Sequence, residues 1–410
     1  MPERLSVGLL MHSVLPRGGV VHTLELSLAL ARLGVQVTVM APVEPGQALF
    51  RPLPSWLPVH FLPLPMPKPR SASLADQVGL RIESLMGALP AAIHASRVQI
   101  LHAQDSLNGA ALAQIAPDIP WVRTVHHLDV FDDARLSLWQ DMAWRKARVV
   151  CCVSDTWQEH MRRQADAPPV HRVFNGVDLL RFSPGFHRQD EKALAPLAAA
   201  GLHDDAPLVL AVGGIEARKN SARLLRAFAR LRREVPQAAR ARLVVAGGAS
   251  LLQHGAEQRR WQSALHEEGL REGPDAPVWR LGALPDAAIA ALMRRARILA
   301  MPSLNEGFGL VALEALACGT PVLVSRRAPF TEHLADSRGV SWCDPQDDGS
   351  VALGLARAWA QPRLMEPPPV CRQYSWQRSA QAHRRIYDAI LGADPAAHDT
   401  PKQGAAACLP

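Results

Sequence analysis

Three groups of side chains in this sequence have the types and spacing to do chemistry. Glu306 and Glu314 flank a turn that reads Glu-Gly-Phe-Gly-Leu-Val-Ala-Leu-Glu. Arg218 and Lys219 form a cation pair shortly after Gly213-Gly214. His126 and His127 follow one apolar run, and the pair Gly18-Gly19 follows another. Around the first group, Ile298 to Met301 reads as a buried strand. A loop with Gly307 and Gly309 follows. Phe308 or Gly309 then opens a helix with Leu310, Leu313 and Ala317 on its apolar face. Unpaired amides at a helix start, together with the helix dipole, favour an anion, and glycines let a phosphate approach the backbone closely. Helical rise puts the two carboxylates on the order of 10 Å apart. A retaining glycosidase needs its pair at about 5 Å. The two acids would instead bracket a long ligand with hydroxyls at both ends and phosphates between, which is the shape of a nucleotide sugar.

Arg218 and Lys219 stand close to a helix start, where cations oppose the dipole, and this points to a bound anion. Two cations beside free amides suit a diphosphate and can neutralise it as it leaves, without a metal. A histidine at the carboxyl end of a strand in an open α/β sheet sits where ligands bind. The adjacent pair leaves the choice between His126 and His127 open. Gly18-Gly19, at the entrance of the first helix, either admits a phosphate or sugar ring or serves a tight turn.

These groups need a scaffold, and the chain supplies one. Leu5 to Met11 is a strand, Val20 to Leu33 a helix closed by Gly34, and Val35 to Met40 the next strand. The alternation repeats as far as Phe174, which predicts a parallel doubly wound sheet. Pro42 to Ser73 is proline-rich yet apolar, and reads as an extended excursion with short edge strands near an acceptor site. A helix is expected over Leu74 to Leu89. Phe182 to Ala206 changes composition and marks a connection. Leu208 to Val212 then opens a second strand–helix series. A last helix runs from Tyr374-Ser375-Trp376 to about Leu391. The expected organisation is residues 1–183 as one domain, 207–372 as a second, 373–391 as a crossing helix, and 392–410 as a disordered Ala/Pro/Asp-rich tail.

Composition narrows the function classes. The chain has 410 residues, 48% hydrophobic and 20% charged, which fits a soluble protein of two or three domains. No segment has the apolar length of a membrane span, and no signal peptide is read. Six cysteines lack Cys-x-x-Cys spacing, which fits reduced cytoplasmic thiols and gives no expectation of a metal. A net charge of +7 and a pI near 9.4 suit phosphorylated substrates or peripheral contact with an anionic membrane. The arginines are scattered in pairs with no aromatic-basic stripe, which argues against nucleic acid.

With these residues placed, the chain resembles glycosyltransferase family 4, retaining enzymes of the GT-B fold, over roughly residues 4 to 391. The resemblance rests on the acid–seven–acid motif from Glu306 to Glu314 with Ala-Cys-Gly-Thr-Pro-Val after it. Gly18-Gly19, Thr124-Val125-His126, Asn175-Gly176-Val177-Asp178, Arg218-Lys219-Asn220 and Tyr374-Ser375-Trp376 support it. It implies two Rossmann-like domains facing a cleft, with the last helix crossing back to the first domain. Glu306 would hold hydroxyls of the donor sugar. Gly307, Phe308, Gly309 and Leu310 would form the diphosphate loop, and Glu314 would bind the ribose. Lys219 would bind the diphosphate, His126 would approach the donor sugar and acceptor, and Gly18 and Gly19 would line the crevice. The implied activity is retaining transfer of a hexose from a nucleoside diphosphate sugar to a hydroxyl acceptor, with no cofactor. A sugar phosphorylase, an epimerase or a non-catalytic nucleotide-sugar binder are the rivals. One departure stands out. Gly214 occupies the place of the family's usual arginine, and Arg218 is the candidate to replace it. Gly247-Gly248-Ala249-Ser250 also stands where the family has Gly-x-Gly-Pro.

Overall fold

Short apolar runs form parallel strands in two sheets. The computed structural model describes residues 4–64, 73–185, 187–202, 206–248 and 255–392. The first sheet contains β1 (Ser6–Leu10), β2 (Gln36–Val43), β3 (Val59–Pro63), β4 (Ile100–Ala103), β5 (Trp121–Val125), β6 (Val149–Cys152) and β7 (Val170–Arg172). Its order is β3-β2-β1-β4-β5-β6-β7, parallel throughout. The second contains β8 (Leu208–Val212), β9 (Arg242–Ala246), β10 (Val278–Gly282), β11 (Ile298–Met301), β12 (Val322–Ser325) and β13 (Val340–Cys343). Its order is β10-β9-β8-β11-β12-β13, again parallel. Both are doubly wound Rossmann-like sheets, so the chain has the α/β architecture expected. In each, the winding direction reverses beside the first strand, between β1 and β4 and between β8 and β11. Such a reversal opens a crevice outside the carboxyl ends of the strands.

The inner strands β1, β4, β5, β6, β9, β11 and β12 are buried on both faces, as helix-covered parallel sheets require. The last helix, Trp376–Ile390, completes the first sheet rather than the second. Trp376, Ala380, Ile386 and Tyr387 share one apolar cluster with Val7, Leu9, Leu24 and Val122. Tyr387 Oη lies 2.6 Å from His102 Nδ1, and Thr124 Oγ1 lies 2.6 Å from His102 Nε2. The chain therefore passes between the two halves twice, and the two passages touch. Val177 N donates to Tyr374 O at 3.0 Å. A Cβ on Gly176 would stand 2.0 Å from the Trp376 nitrogen, so only glycine fits there.

Three local expectations change. The helix Leu74–Ser96 runs through Pro90 instead of ending at Leu89. Leu89 and Ala92 continue the buried stripe begun by Ile82 and Leu85, and that burial offsets the donor that proline lacks. The connection after Phe182 contains a helix, Arg188–Ala199. Asp190 holds it to the helix Asp286–Arg295 through Arg294, at 2.5 Å. The Gly18-Gly19 pair lies inside the first helix, Gly18–Arg32, as its opening residues. β3 is an edge strand within the proline-rich excursion, while residues 65–72, 249–250 and the expected tail from 393 lie outside the described residues. Among the described residues no helix is long and apolar enough to cross a membrane.

Candidate functional site

The site grows from the loop after β11. Gly309 has φ 83°, the left-handed region, and a Cβ there would lie 2.2 Å from the Phe330 ring. Both facts demand glycine. The helix Leu310–Ala317 starts directly after it, with no side-chain cap and no acid in its first turn. Its opening amides are therefore not spent on its own side chains. Phe308 turns into the core, stacked on His333 with ring centroids 4.6 Å apart, and so anchors the loop.

The cations come from the turn after β8. Asn220, at φ 60°, closes a short 3-10 turn, Ala217–Lys219. Its Nδ2 donates to Pro302 O at 3.0 Å and Pro345 O at 2.7 Å, and Leu304 N donates to Arg218 O at 2.7 Å. These bonds fix the turn against the loop after β11. Lys219 Nζ consequently lies 2.6 Å from Glu306 Oε1, and Arg218 lies 3.6 Å from Glu306 Oε2 and 2.9 Å from Glu216 Oε2. Burial raises the pKa of Glu306, but Lys219 and Arg218 outweigh it and hold the carboxyl below its ordinary range. Glu306 is thus an anion between two cations.

Gly214 has a steric explanation. A Cβ there would stand 2.8 Å from Gly248 O, because the Gly213-Gly214 and Gly247-Gly248 backbones pack together. No arginine fits at that position. Arg218 brings a guanidinium to Glu306 from the following turn.

The other wall belongs to the first sheet. A Cβ on Gly307 would lie 2.3 Å from His126 O, so the loop after β11 rests on the end of β5. Trp157 Nε1 reaches Glu306 O at 3.4 Å. Gly19 faces the same place: a Cβ on it would be 3.7 Å from His12 and 3.9 Å from His126, while one on Gly18 would meet nothing within 4 Å. His126 Nε2 is enclosed without a partner among the described residues, and the His22 ring stands edge-on at 4.7 Å. Burial, then the charges of His22 and Arg123, hold the pKa of His126 well below that of a free histidine, so it is neutral at pH 7. His127 instead lies 3.6 Å from Asp129. The structure brings His126, Gly19, Gly307, Glu306, Lys219 and Arg218 to one cleft.

Glu314 lies in a second group of charges. Arg51 bonds Glu25 and reaches Asp286 at 2.9 Å, and Arg181 bonds Glu25 at 2.5 Å. Burial raises the pKa of Glu314 to about 8, helped by Asp286 and Glu25 and only partly opposed by Arg181 and Arg51. The folded chain therefore holds a proton that the unfolded chain releases above its ordinary pKa of 4.5. Stability through this group falls as pH rises from about 4.5 to about 8, because over that window the folded state binds more protons. Glu314→Gln removes that slope. Thermal unfolding without ligand should show the variant gaining on the wild type at pH 8 and matching it near pH 4. Equal shifts at both pH values would place the titration elsewhere.

Several members of the site have no signal in the sequence. Glu332 accepts from Asp155 N at 2.8 Å and Thr156 N at 2.9 Å, capping a helix of the other half. Trp157 and the Arg51–Asp286 pair likewise depend on contacts distant in the chain, whereas Glu216 pairs with Arg218 two residues on. The fold also brings Cys151 to His102 and His383, the one cluster of potential metal ligands among the described residues. Both ring nitrogens of His102 are already hydrogen-bonded, and burial pushes the Cys151 thiol up, which suits a polar core.

Residues 16–181 match the family model described as glycosyltransferase family 4, and residues 197–374 match that of glycosyl transferases group 1. A D-inositol 3-phosphate glycosyltransferase of Xylanimonas cellulosilytica is 30% identical over 412 residues, 90% of each chain. The chain belongs to glycosyltransferase family 4. A D-inositol 3-phosphate glycosyltransferase 2 of Catenulispora acidiphila is 32% identical across 90% of this chain and 88% of the relative. Sucrose-phosphate synthase from Thermosynechococcus elongatus superposes with a TM-score of 0.73 at 22% identity, over 95% of this chain and all of that one. A UDP-forming trehalose-phosphate synthase from Burkholderia xenovorans gives 0.68 at 14% identity, over 94% of this chain and 100% of that one. These last two share the GT-B fold. The activity that goes with family 4 is glycosyl transfer from a nucleotide sugar.

Proposed function

We propose that this family 4 glycosyltransferase moves a hexose from a nucleoside diphosphate sugar to a hydroxyl acceptor, with retention at the anomeric carbon and without a metal. The observation that carries the reading is the group Lys219–Glu306–Arg218 beside the uncapped start of the helix Leu310–Ala317, against the carbonyl of His126. The diphosphate takes the amides of 308–310 and the cations of Lys219 and Arg218. Those cations stabilise the charge that grows as it departs. Glu306 holds hydroxyls of the sugar, Glu314 the ribose, and neutral His126 with Gly18 and Gly19 borders the sugar and the incoming acceptor. The acceptor hydroxyl attacks the anomeric carbon from the face the diphosphate leaves, forming the new C–O bond as the C–O bond to the diphosphate breaks and passing its proton to the departing diphosphate oxygen, so no side-chain nucleophile is needed.

The test is a panel of nucleoside diphosphate hexoses, with and without chelator. Release of nucleoside diphosphate is measured, and the anomeric proton of the product is read by NMR. The relatives' name makes D-inositol 3-phosphate the first acceptor to assay. The expected result is chelator-resistant release and an anomeric configuration unchanged from the donor. Inverted product, dependence on added divalent metal, or consumption of orthophosphate would each reject a part of the reading. Donor binding without turnover on any acceptor would favour a binding protein.

A further inference from the structure

Two histidine rings lie edge to face beside the cleft, and only His126 has a place in the proposed reaction. The other, His22, sits on the helix Gly18–Arg32 and has no exposed surface. Its Nδ1 lies 2.8 Å from Asn175 Oδ1. Burial, and then the nearby His383, hold the pKa of His22 at about 3 against the pull of that bond, so the ring is neutral. A neutral imidazole has one proton, and an amide oxygen only accepts. The proton is therefore on Nδ1, given to Asn175, and Nε2 carries a lone pair. That Nε2 has no partner among the described residues. Such a ring is neither acid nor base at neutral pH. An apolar side chain would fill the same space without leaving a buried polar atom unpaired.

The neighbours of His22 suggest what the ring is for. Asn175 lies on the passage from the first half of the chain to the second, and Trp376 opens the passage back. The two passages are locked together, through the bond from Val177 N to Tyr374 O and the close approach of Gly176 to Trp376. The Trp376 ring meets His22 edge-on, with centroids 5.4 Å apart. The His126 ring meets it at 4.7 Å and 81°. One buried side chain thus contacts both passages and the histidine of the cleft. Among the described residues no hydrogen bond holds the His126 ring, and its enclosed Nε2 is unpartnered. A Cβ on Gly19 would still be 3.9 Å away from it. The orientation of His126 therefore rests on packing, and an edge-to-face ring contact is the directional part of that packing.

We propose that His22 is a positioning residue for His126. Asn175 and Trp376 fix the His22 ring where the two passages meet, and its contact fixes the His126 imidazole toward the donor sugar and acceptor. The inference rests on the proposed function in giving His126 that place. His22 itself touches no substrate. Asn175, one contact farther from the cleft, acts on the reaction by the same route.

The test uses the full chain with His22→Ala, Asn175→Ala, His126→Ala and the pair His22→Ala with His126→Ala. Single-turnover rates and donor KM are measured with a nucleoside diphosphate hexose, and nucleoside diphosphate binding is followed by thermal shift. His22→Ala should slow transfer roughly ten- to a hundredfold, the scale of misplacing a reacting group, with donor KM and thermal shift unchanged. Asn175→Ala should lower the rate in the same way by a smaller factor. In the His126→Ala background, His22→Ala should cost less than about twofold, because residues acting as a unit are not additive. A full-sized loss in that background would overturn the proposal, as would a His22→Ala rate within about threefold of wild type. A second reading needs no turnover. The His126 ring signal in NMR, assigned by its loss in His126→Ala, should be one sharp line in the wild type and broaden or split in His22→Ala. An unchanged line would overturn the proposal whatever the activity. Should His22→Ala not fold, Asn175→Ala is read on both measurements with the same criteria. A wild type that turns over no donor, with the ring signal responding as expected, would sink the glycosyl-transfer reading and leave the contact between the two histidines standing.

Discussion

Glu306→Gln should lower turnover by roughly a thousandfold, while nucleoside diphosphate should bind at least as tightly as to the wild type. The two halves of this result come from the same geometry. The carboxylate is an anion held between Lys219 and Arg218. In the proposed complex it is the acceptor for hydroxyls of the sugar, and an amide of equal size is a weaker acceptor with the wrong donor facing one oxygen site. The loss is on the scale of removing one preorganised electrostatic group at the reacting centre. Without the carboxylate the two cations have less competition for a phosphate, so the product analogue gains affinity. Single-turnover kinetics with the preferred donor, together with the thermal shift produced by nucleoside diphosphate, check both halves. Turnover within tenfold of wild type would remove Glu306 from the sugar site.

Lys219→Ala should cost about 2.7–4 kcal/mol at the transition state, or roughly a hundred- to a thousandfold in kcat. Lys219 makes the shortest contact to Glu306, and in the proposed complex its loss would leave Arg218 alone to meet the leaving diphosphate. A second signature separates this from general damage. Burial raises the pKa of Glu306 and the two cations pull it below its ordinary range. Loss of Lys219 lets burial win, so the acid limb of the kcat/KM profile moves to higher pH. A variant within threefold of wild type, or an acid limb that does not move, would take Lys219 out of the mechanism.

How far these residues were readable depends on the range of the interaction that places them. β8 and β11 fall where the apolar runs put them, because each run is bounded by proline, glycine or charged residues that cannot continue a buried strand. The glycines of the turn are legible for the same local reason, and Gly309 occupies the left-handed conformation that only a glycine adopts easily. Pro90 shows the limit of local rules, since the stripe of Leu85, Leu89 and Ala92 overrules the expected break. The contact of Gly307 with His126 O, the capping of Asp155 and Thr156 by Glu332, and the Arg51–Asp286 pair were not readable. Each joins one half of the chain to the other, and no spacing along the sequence encodes the angle between two sheets. The departure at Gly214 was visible as an anomaly, but its cause, the backbone of Gly248 pressed against it, was not.

The crossing helix has a consequence for how the chain is made. Trp376, Ala380, Ile386 and Tyr387 fill the core of the sheet that β1 begins, and Tyr387 supplies a hydrogen bond to His102 inside it. During synthesis the first half leaves the ribosome long before these residues exist. Until then it carries an open apolar groove and a histidine missing one partner, and its core is completed only once residues 376–387 have emerged. Cutting the chain between β7 and β8 would therefore not yield two working halves, whereas an N-terminal piece supplied with the separate segment 374–391 could regain its core.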